Sequence, residues 1–415
     1  MRPLKIVFIC SSYWEENRRH GGEEGEGGGT QQLAEAVAEL GHEVIVLTHS
    51  PKVGKLKKAQ VGKLETWLSP WNKPRSFFTG LRDRLAKKTY SHRKVYSDAH
   101  DLREVLTQRG PFDVIWAHSE APDALVATVA AKLGGKLPPL LVQVQGLRYH
   151  LLKGEPVFTQ KPLLSLVFRR ATRLLLHSEL MAKALAQYAG PGLKAADLQA
   201  KSHLVHPNLQ RGFLREAEEN SPEPASMNER VLFLGAINKA KGATVFMKAL
   251  PKTEAAQRNA TFVLIGDFTD DNKRFIKRWE DAQEEVRIRL PGARMEYLGR
   301  VSSYEVIRQI KLAQIVVIPS LFDSYARGLV EALILGRPVI TTDRAGAWPL
   351  VRTYGCGLVV PSNNPLALAQ AIDTMLADTT PYLVNAKHLA HRLLHEYSPQ
   401  AIALQIAHHL SEIAG

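Results

Sequence analysis

Cysteine is nearly absent: Cys10 and Cys356 are the only two in 415 residues. Two distant thiols make neither a disulfide framework nor a metal pattern, so both read as small buried apolar residues in a chain suited to a reducing cytoplasm. Long hydrophobic runs are also missing. No stretch approaches the ~18–20 apolar residues of a membrane span. The apolar run near the N-terminus is too short for a secretory h-region and reads as a buried first strand. No Asp-x-Asp stands where it could hold a divalent cation; Asp270 and Asp271 are adjacent on an expected loop, so no catalytic metal is expected. The second expected strand ends Leu47-Thr48-His49-Ser50, without the acid that holds the ribose of a nicotinamide dinucleotide. Short repeats are absent too, and the Gly/Glu run at 21–29 is the one biased tract. That run reads either as a loop closing over a ligand or as a solvated flexible loop.

What the chain does have is a concentrated charge. The formal net charge is +13, and residues 51–100 alone hold 13 Lys/Arg against 3 Asp/Glu. The remainder is close to neutral. No zinc, helix-turn-helix or aromatic-platform signature accompanies these cations, so nucleic acid is not an expected partner. Within residues 72–95, Phe77, Phe78, Leu81 and Leu85 share one helical face, ringed by Arg75, Arg82, Arg84, Lys87 and Lys88. The pattern suits an amphipathic helix lying on an anionic bilayer, and equally a core-packed helix with a solvated basic face. The expected location is cytoplasmic, with a peripheral place at the inner face of the membrane under the first reading.

Apolar runs alternate with helical periodicity along both halves. Residues 5–10, 43–48, 113–117, 139–144 and 173–177 predict strands, with helices at 30–40, 121–133 and 179–189. Residues 214–229, LREAEENSPEPASMNE, are acidic and proline-bearing and read as an interdomain linker. The alternation then restarts, with strands at 230–235, 261–266, 315–319, 338–342 and 358–361. Helices follow at 243–250, 272–290, 303–312, 328–335 and 365–377, and two more close the chain at about 383–395 and 399–413. Such alternation gives parallel sheets with helices on both faces, and ligands at the carboxyl ends of the strands.

Three segments carry the chemistry. Residues 319–342, PSLFDSYARGLVEALILGRPVITT, place Asp323 and Glu331 eight positions apart, the second on a helix. A carboxylate is a two-oxygen acceptor suited to vicinal hydroxyls, and the helix start at Tyr325, Ala326, Arg327 and Gly328 offers free N–H groups to an anion. Residues 231–250, VLFLGAINKAKGATVFMKAL, put Gly235 after a strand and Lys241-Gly242 before a helix. Residues 295–320 give Arg300-Val301, then a helix and a buried strand.

Together these resemble the donor-site signature of family 4 of the retaining glycosyltransferases, over nearly the whole chain. The resemblance implies an α/β GT-B architecture: two Rossmann-like, doubly wound domains facing across a cleft. An N-terminal acceptor-side domain would span 1–213, joined by a C-terminal helix at 398–415. The linker at 214–229 would lead to a donor-binding domain at 230–397. The implied activity is metal-independent transfer, with retention, of a sugar from a nucleotide-diphosphate donor (a UDP- or GDP-sugar) to a glycan, lipid-linked or small-molecule acceptor. Glu331 would hold the ribose, Asp323 would face the sugar, Lys241 the diphosphate, and the backbone at Arg300–Val301 the base. On the acceptor side the resemblance covers Gly28, Gly29 and Thr30. His118, at the end of a predicted strand, reads as an acceptor contact or a hydrogen-bonded structural histidine. Departures from the family pattern are Asp323 for Glu, Ala236 for Arg, Gln145 for His and Pro349 for Glu. Gln145 cannot be protonated, so it transfers no proton. These departures keep open a catalytically idle partner or glycan-binding subunit, and a sugar-nucleotide epimerase or phosphorylase shares the fold.

Overall fold

The computed structural model describes residues 2–11, 28–50, 52–70, 92–146, 161–187, 192–219, 229–254, 260–268 and 272–415. The chain divides into two compact units, Met1–Gln210 with Pro399–Gly415, and Arg211–Ser398.

The first unit is built on eight strands: β1 Lys5–Ile9, β2 Glu43–Ser50, β3 Lys57–Val61, β4 Leu64–Pro70, β5 Val114–Ala117, β6 Leu140–Val144, β7 Arg173–Leu176 and β8 Ser202–Leu204. Their order is β3-β4-β2-β1-β5-β6-β7-β8, so the winding reverses between β1 and β5. All neighbours pair parallel except β3 with β4. Strands buried on both faces need apolar residues throughout, and β5, Val114-Ile115-Trp116-Ala117, has no exposed residue. Helices α1 (Gly29–Glu39), α2 (His92–Arg109), α3 (Asp123–Lys132), α4 (Lys161–Arg170), α5 (Glu179–Ala186) and α6 (Ala195–Ala200) connect them.

The hairpin β3–β4 is absent from the sequence reading and accounts for part of the basic segment. It turns at Gly62, whose φ is +57°. Lys57 and Lys58 are exposed on β3, which has a partner on one side alone, the position where charge discourages strand-to-strand aggregation. Lys58 pairs with Glu65 and Lys63 with Glu39, both at 2.8 Å. The stripe of Phe77, Phe78, Leu81 and Leu85 lies outside the described residues, as does the loop at 21–27.

The second unit has six parallel strands, β9 Arg230–Leu234, β10 Thr261–Ile265, β11 Arg294–Gly299, β12 Ile315–Ile318, β13 Val339–Thr342 and β14 Gly357–Val360, in the order β11-β10-β9-β12-β13-β14. Here the winding reverses between β9 and β12. Its helices are α7 (Arg211–Glu219), α8 (Ala243–Ala249), α9 (Asn272–Arg289), α10 (Ser303–Leu312), α11 (Arg327–Ile334), α12 (Trp348–Tyr354), α13 (Pro365–Ala377) and α14 (Thr380–Glu396). The linker expected from residue 214 is corrected by α7, which runs helical through Glu219. It buries Leu214 and brings Glu216 to within 4.0 Å of Lys311 on α10. One buried leucine among charges is too thin a stripe to register as helical periodicity.

Helix α15 (Pro399–Ala414) belongs to the first unit, where Ile402, Ala403, Ile406 and Leu410 join the core formed by Phe8, Leu33, Val37 and Trp116. Beside that core, the Arg173 guanidinium lies 2.9 Å from His409 Nδ1 and pairs with Glu412, and His203 stacks on His409 at 4.8 Å. Arginine only donates, so Nδ1 accepts and the ring is neutral. Burial first, then neighbouring cations, holds both rings below their ordinary pKa of 6.5, with Glu412 opposing. The unfolded chain therefore takes up these protons first, and stability is lost as pH falls below about 6.5. A thermal melt should drop between pH 7.5 and 5.5, and His409→Gln should reduce that drop. An equal drop in the variant would place the acid sensitivity elsewhere.

Candidate functional site

At the reversal in the second unit, backbone approaches replace side chains. Gly235 (φ +146°) follows β9 and Gly266 (φ +145°) follows β10; a Cβ on Gly266 would lie 1.9 Å from the Gly235 carbonyl oxygen. Asn238 Oδ1 accepts the Lys241 N–H at 2.9 Å, closing the turn that starts α8. Gly242 caps that helix with φ +75°, and a Cβ there would meet the Pro319 carbonyl oxygen at 1.8 Å. Gly242→Ala is expected to destabilise the protein by more than about 3 kcal/mol, since positive φ and a backbone clash combine. Chemical denaturation measures it, and a loss under ~1 kcal/mol would mean that the turn relaxes.

The Lys241 ammonium forms an ion pair with Asp323 Oδ2, and both side chains are largely buried. The backbone of Asp323 is held on both sides: its N–H donates to the Arg344 carbonyl at 2.8 Å, and its carbonyl accepts the Gly346 N–H at 2.9 Å. Residues 344–346, just before Pro349 at the glutamate position of the family pattern, therefore pin the acid through their backbone. Ala347 N–H also donates to the Tyr325 carbonyl at 2.8 Å. Tyr325 enters through its backbone alone. Its hydroxyl is buried against that of Tyr397, and burial drives both phenols up, Tyr397 to about 12.

Ala326 precedes α11 in the left-handed region, φ 68° and ψ 64°, a strained conformation for a residue with a Cβ. The next two N–H groups, of Arg327 and Gly328, have no partner among the described residues. Gly328 also lets the helix approach β9, since a Cβ would stand 3.1 Å from Leu234 Cδ2. One turn on, Glu331 is half-buried, and no described residue bonds its carboxyl. Burial raises its pKa, opposed by Arg327. Past β11, Arg300 and Val301 make no backbone–backbone hydrogen bond among the described residues, and the exposed Arg300 guanidinium lies 3.6 Å from Asp267. Ala236 brings no cation; Lys239, three residues on, and Arg327, at the start of α11, are both exposed.

In the first unit the predicted residues enter several polar groups, at α1 and at or after the ends of β5 and β6. Gly28 is extended, and Gly29 opens α1 with its carbonyl accepting from Asn208 Nδ2 at 3.0 Å. Thr30 Oγ lies 3.3 Å from His118 Nε2, and Gln143 Oε1 lies 3.3 Å from His118 Nδ1. The same Gln143 oxygen accepts the Trp116 indole N–H at 2.9 Å. Tryptophan only donates, which fixes the amide oxygen; His118 then carries its proton on Nδ1 and accepts from Thr30 at Nε2. His118 is thus hydrogen-bonded at both ring nitrogens. Gln145 lies 3.1 Å from His177 Nε2, while His177 Nδ1 donates to the Val205 carbonyl at 3.0 Å.

Several polar residues here were missed from sequence. Glu120, buried and with its pKa raised by burial, accepts the Gln145 and Gly146 N–H groups at 2.9 and 3.2 Å. Asp123 accepts from Ser11 N–H and Ser119 Oγ at 2.9 and 2.8 Å. His49 and Ser69 meet Asp98 at 3.0 and 2.9 Å. Ser119, four residues before Asp123 in the segment SEAPD, was the available signal for Asp123; the others depend on pairing between distant elements. Among the described residues, no three His, Cys, Asp or Glu side chains are grouped to hold a metal ion, and no helix is long and apolar enough to cross a membrane.

Two doubly wound α/β units, each with a reversal of winding in its sheet, give the GT-B architecture. Residues 228–378 match the family of glycosyl transferases group 1, and residues 25–196 match the glycosyl transferase 4-like domain. The chain belongs to this group 1, family 4-like glycosyltransferase family and has the GT-B fold. An uncharacterized glycosyltransferase of Methanocaldococcus jannaschii is 27% identical over 157 residues, 37% of this chain and 38% of that protein. The alpha-D-kanosaminyltransferase of Streptomyces kanamyceticus is 25% identical over 223 residues, 54% of this chain and 52% of that one. The matched stretches thus span about half or less of these relatives. Sucrose-phosphate synthase from Thermosynechococcus elongatus shares the fold with a TM-score of 0.71 at 17% identity, over 99% of both chains. Anabaena HepE in complex with UDP does so at 0.65 and 17%, over 99% of this chain and 100% of that one.

Proposed function

We propose that this protein is a retaining, metal-independent glycosyltransferase that uses a nucleotide-diphosphate sugar, with the donor in the second unit and a hydroxyl acceptor on the first. The observation that carries the reading is Lys241 together with the N–H groups of Arg327 and Gly328 and the carboxyl of Glu331, which have no partner among the described residues, on turns and a helix that follow β9 and β12 at the reversal. They offer a cation and helix dipole to a diphosphate and a two-oxygen acceptor to a ribose. With Lys241 and the helix start as its counter-charges, the diphosphate needs no metal in this scheme. The backbone of Arg300–Val301 receives the base. A UDP-sugar is the first donor to try, because HepE is a protein of this fold solved with UDP.

In the reaction the bond from the anomeric carbon to the phosphate oxygen breaks, and the bond to the acceptor oxygen forms on the same face. The acceptor proton passes to the departing phosphate, so Gln145 need not carry it. Electrostatic support of that phosphate is the main catalytic contribution.

A panel of UDP-, GDP- and ADP-sugars tests this, read by thermal stabilisation and by release of nucleoside diphosphate. Stabilisation with release supports an enzyme, and the anomer of the product tests retention. Stabilisation without release by any acceptor mixture favours an idle partner, a reading motivated by Ala236, Gln145 and Pro349. No response to any nucleotide sinks the donor site. The charge of residues 51–100 favours an anionic or lipid-linked acceptor and a peripheral place on an anionic membrane. Co-sedimentation with phosphatidylglycerol vesicles should be strong at low salt and fade as the Debye length falls below ~10 Å. Protein left in the supernatant at low salt removes the membrane.

A further inference from the structure

The ammonium that the donor diphosphate requires is already taken. All the polar contacts of Lys241 are its N–H to Asn238 and its ammonium to Asp323. Those of the Asp323 side chain are Lys241 on Oδ2 and the Tyr325 N–H on Oδ1 at 3.4 Å. The two partners differ in freedom. Asp323 has a short side chain on a backbone held by Arg344 and Gly346 and bridged to Ala345. Lys241 has a flexible four-carbon stem, which would stand about 4 Å from a Cβ placed on Gly235. When an anion arrives, the lysine is the partner that can move.

We infer that Asp323 is an internal competitor for Lys241. It holds the ammonium in the empty site, yields it to the diphosphate, and takes it back as the nucleoside diphosphate leaves. This rests on the donor-site reading above and adds a regulation to it. Asp323 is one methylene shorter than glutamate, which keeps its carboxylate at the cation. With Ala236 in place of an arginine, no second cation of that motif is left to bind the diphosphate while Lys241 is held. The competition is therefore felt in full. The carboxylate lowers affinity for the product and so hastens its release, at the cost of weaker capture of donor.

The test is calorimetry at low salt with UDP, GDP and inorganic pyrophosphate, on the full chain and on Asp323→Asn, Lys241→Ala and the double variant. Removing the competing charge is expected to tighten pyrophosphate and nucleotide binding about 10-fold, while steady-state turnover falls because product leaves more slowly. In the Lys241→Ala background the same Asn substitution should change affinity by less than about 2-fold, since there is no ammonium to release. Equal or weaker binding by a folded Asp323→Asn overturns the inference, and so does the same gain without Lys241, which would be plain repulsion. Should Asp323→Asn not fold, Asp323→Glu takes its place, with a looser pair and about 3-fold tighter pyrophosphate binding expected; unchanged or weaker binding overturns the inference. A wild-type protein that binds none of the three probes removes the donor-site reading and the competitor with it. Binding without the Asn effect removes the competitor alone.

Discussion

Glu331→Ala is expected to weaken nucleoside diphosphate binding by about 2–3 kcal/mol, roughly 30- to 150-fold, within the range for hydrogen bonding to a charged acceptor. The carboxyl is half-buried on α11 with no described partner, so the wild-type site already bears its desolvation and recovers it only when a ligand donates. The sign of the pH dependence follows. Burial raises the Glu331 pKa against the pull of Arg327, and two ribose hydroxyls bind the ionised form. Wild-type affinity should therefore fall as pH drops toward that raised pKa, and the dependence should flatten in the variant. Titration calorimetry at pH 8 and pH 5.5 reads both effects. Wild-type affinity in Glu331→Ala would remove the ribose from this residue.

Lys241→Ala should lower turnover by about 100-fold, as when one donor is removed from a site of developing negative charge. Acceptor affinity should change far less, because the ammonium matters most as the diphosphate departs. Initial-rate kinetics with donor and acceptor varied separately distinguish the two. An unchanged turnover number would pass the role to Lys239 or Arg327, both exposed. The variant also leaves Asp323 largely buried without its cation, so a lower melting temperature is expected alongside the kinetic loss.

The turns of the proposed donor half were legible because their requirements are local. Gly235, Lys241-Gly242, Asp323 and Glu331 sit at fixed offsets from strand ends and helix starts, and the structure puts those turns where the spacing implies. Tyr325 shows the limit of this. Its backbone position follows from sequence, but the direction of its ring is set by Tyr397, seventy-two residues later. The pairing of Lys241 with Asp323 is of the same kind, since nothing at either position announces the other. The acceptor half was less legible. His118 was found at the end of β5, yet its tautomer depends on Trp116 of that strand and on Gln143 of the neighbouring β6, both buried among core residues.

By itself the sequence determined two α/β units, the apolar strands that fill their sheets and the places where helices start, because period and turn chemistry act within a few residues. It missed the β3–β4 hairpin, whose lysines serve an edge no local pattern marks, and α7, whose stripe is a single leucine. Which carboxylates are bonded and which are bare was decided only by the tertiary structure. Asp323 is tied to a cation and to two stretches of backbone, Glu120 to two N–H groups, and Glu331 to nothing described. The reason is physical: a charged group's state depends on every donor within a few ångströms, and in a doubly wound sheet those donors come from strands far apart in the chain.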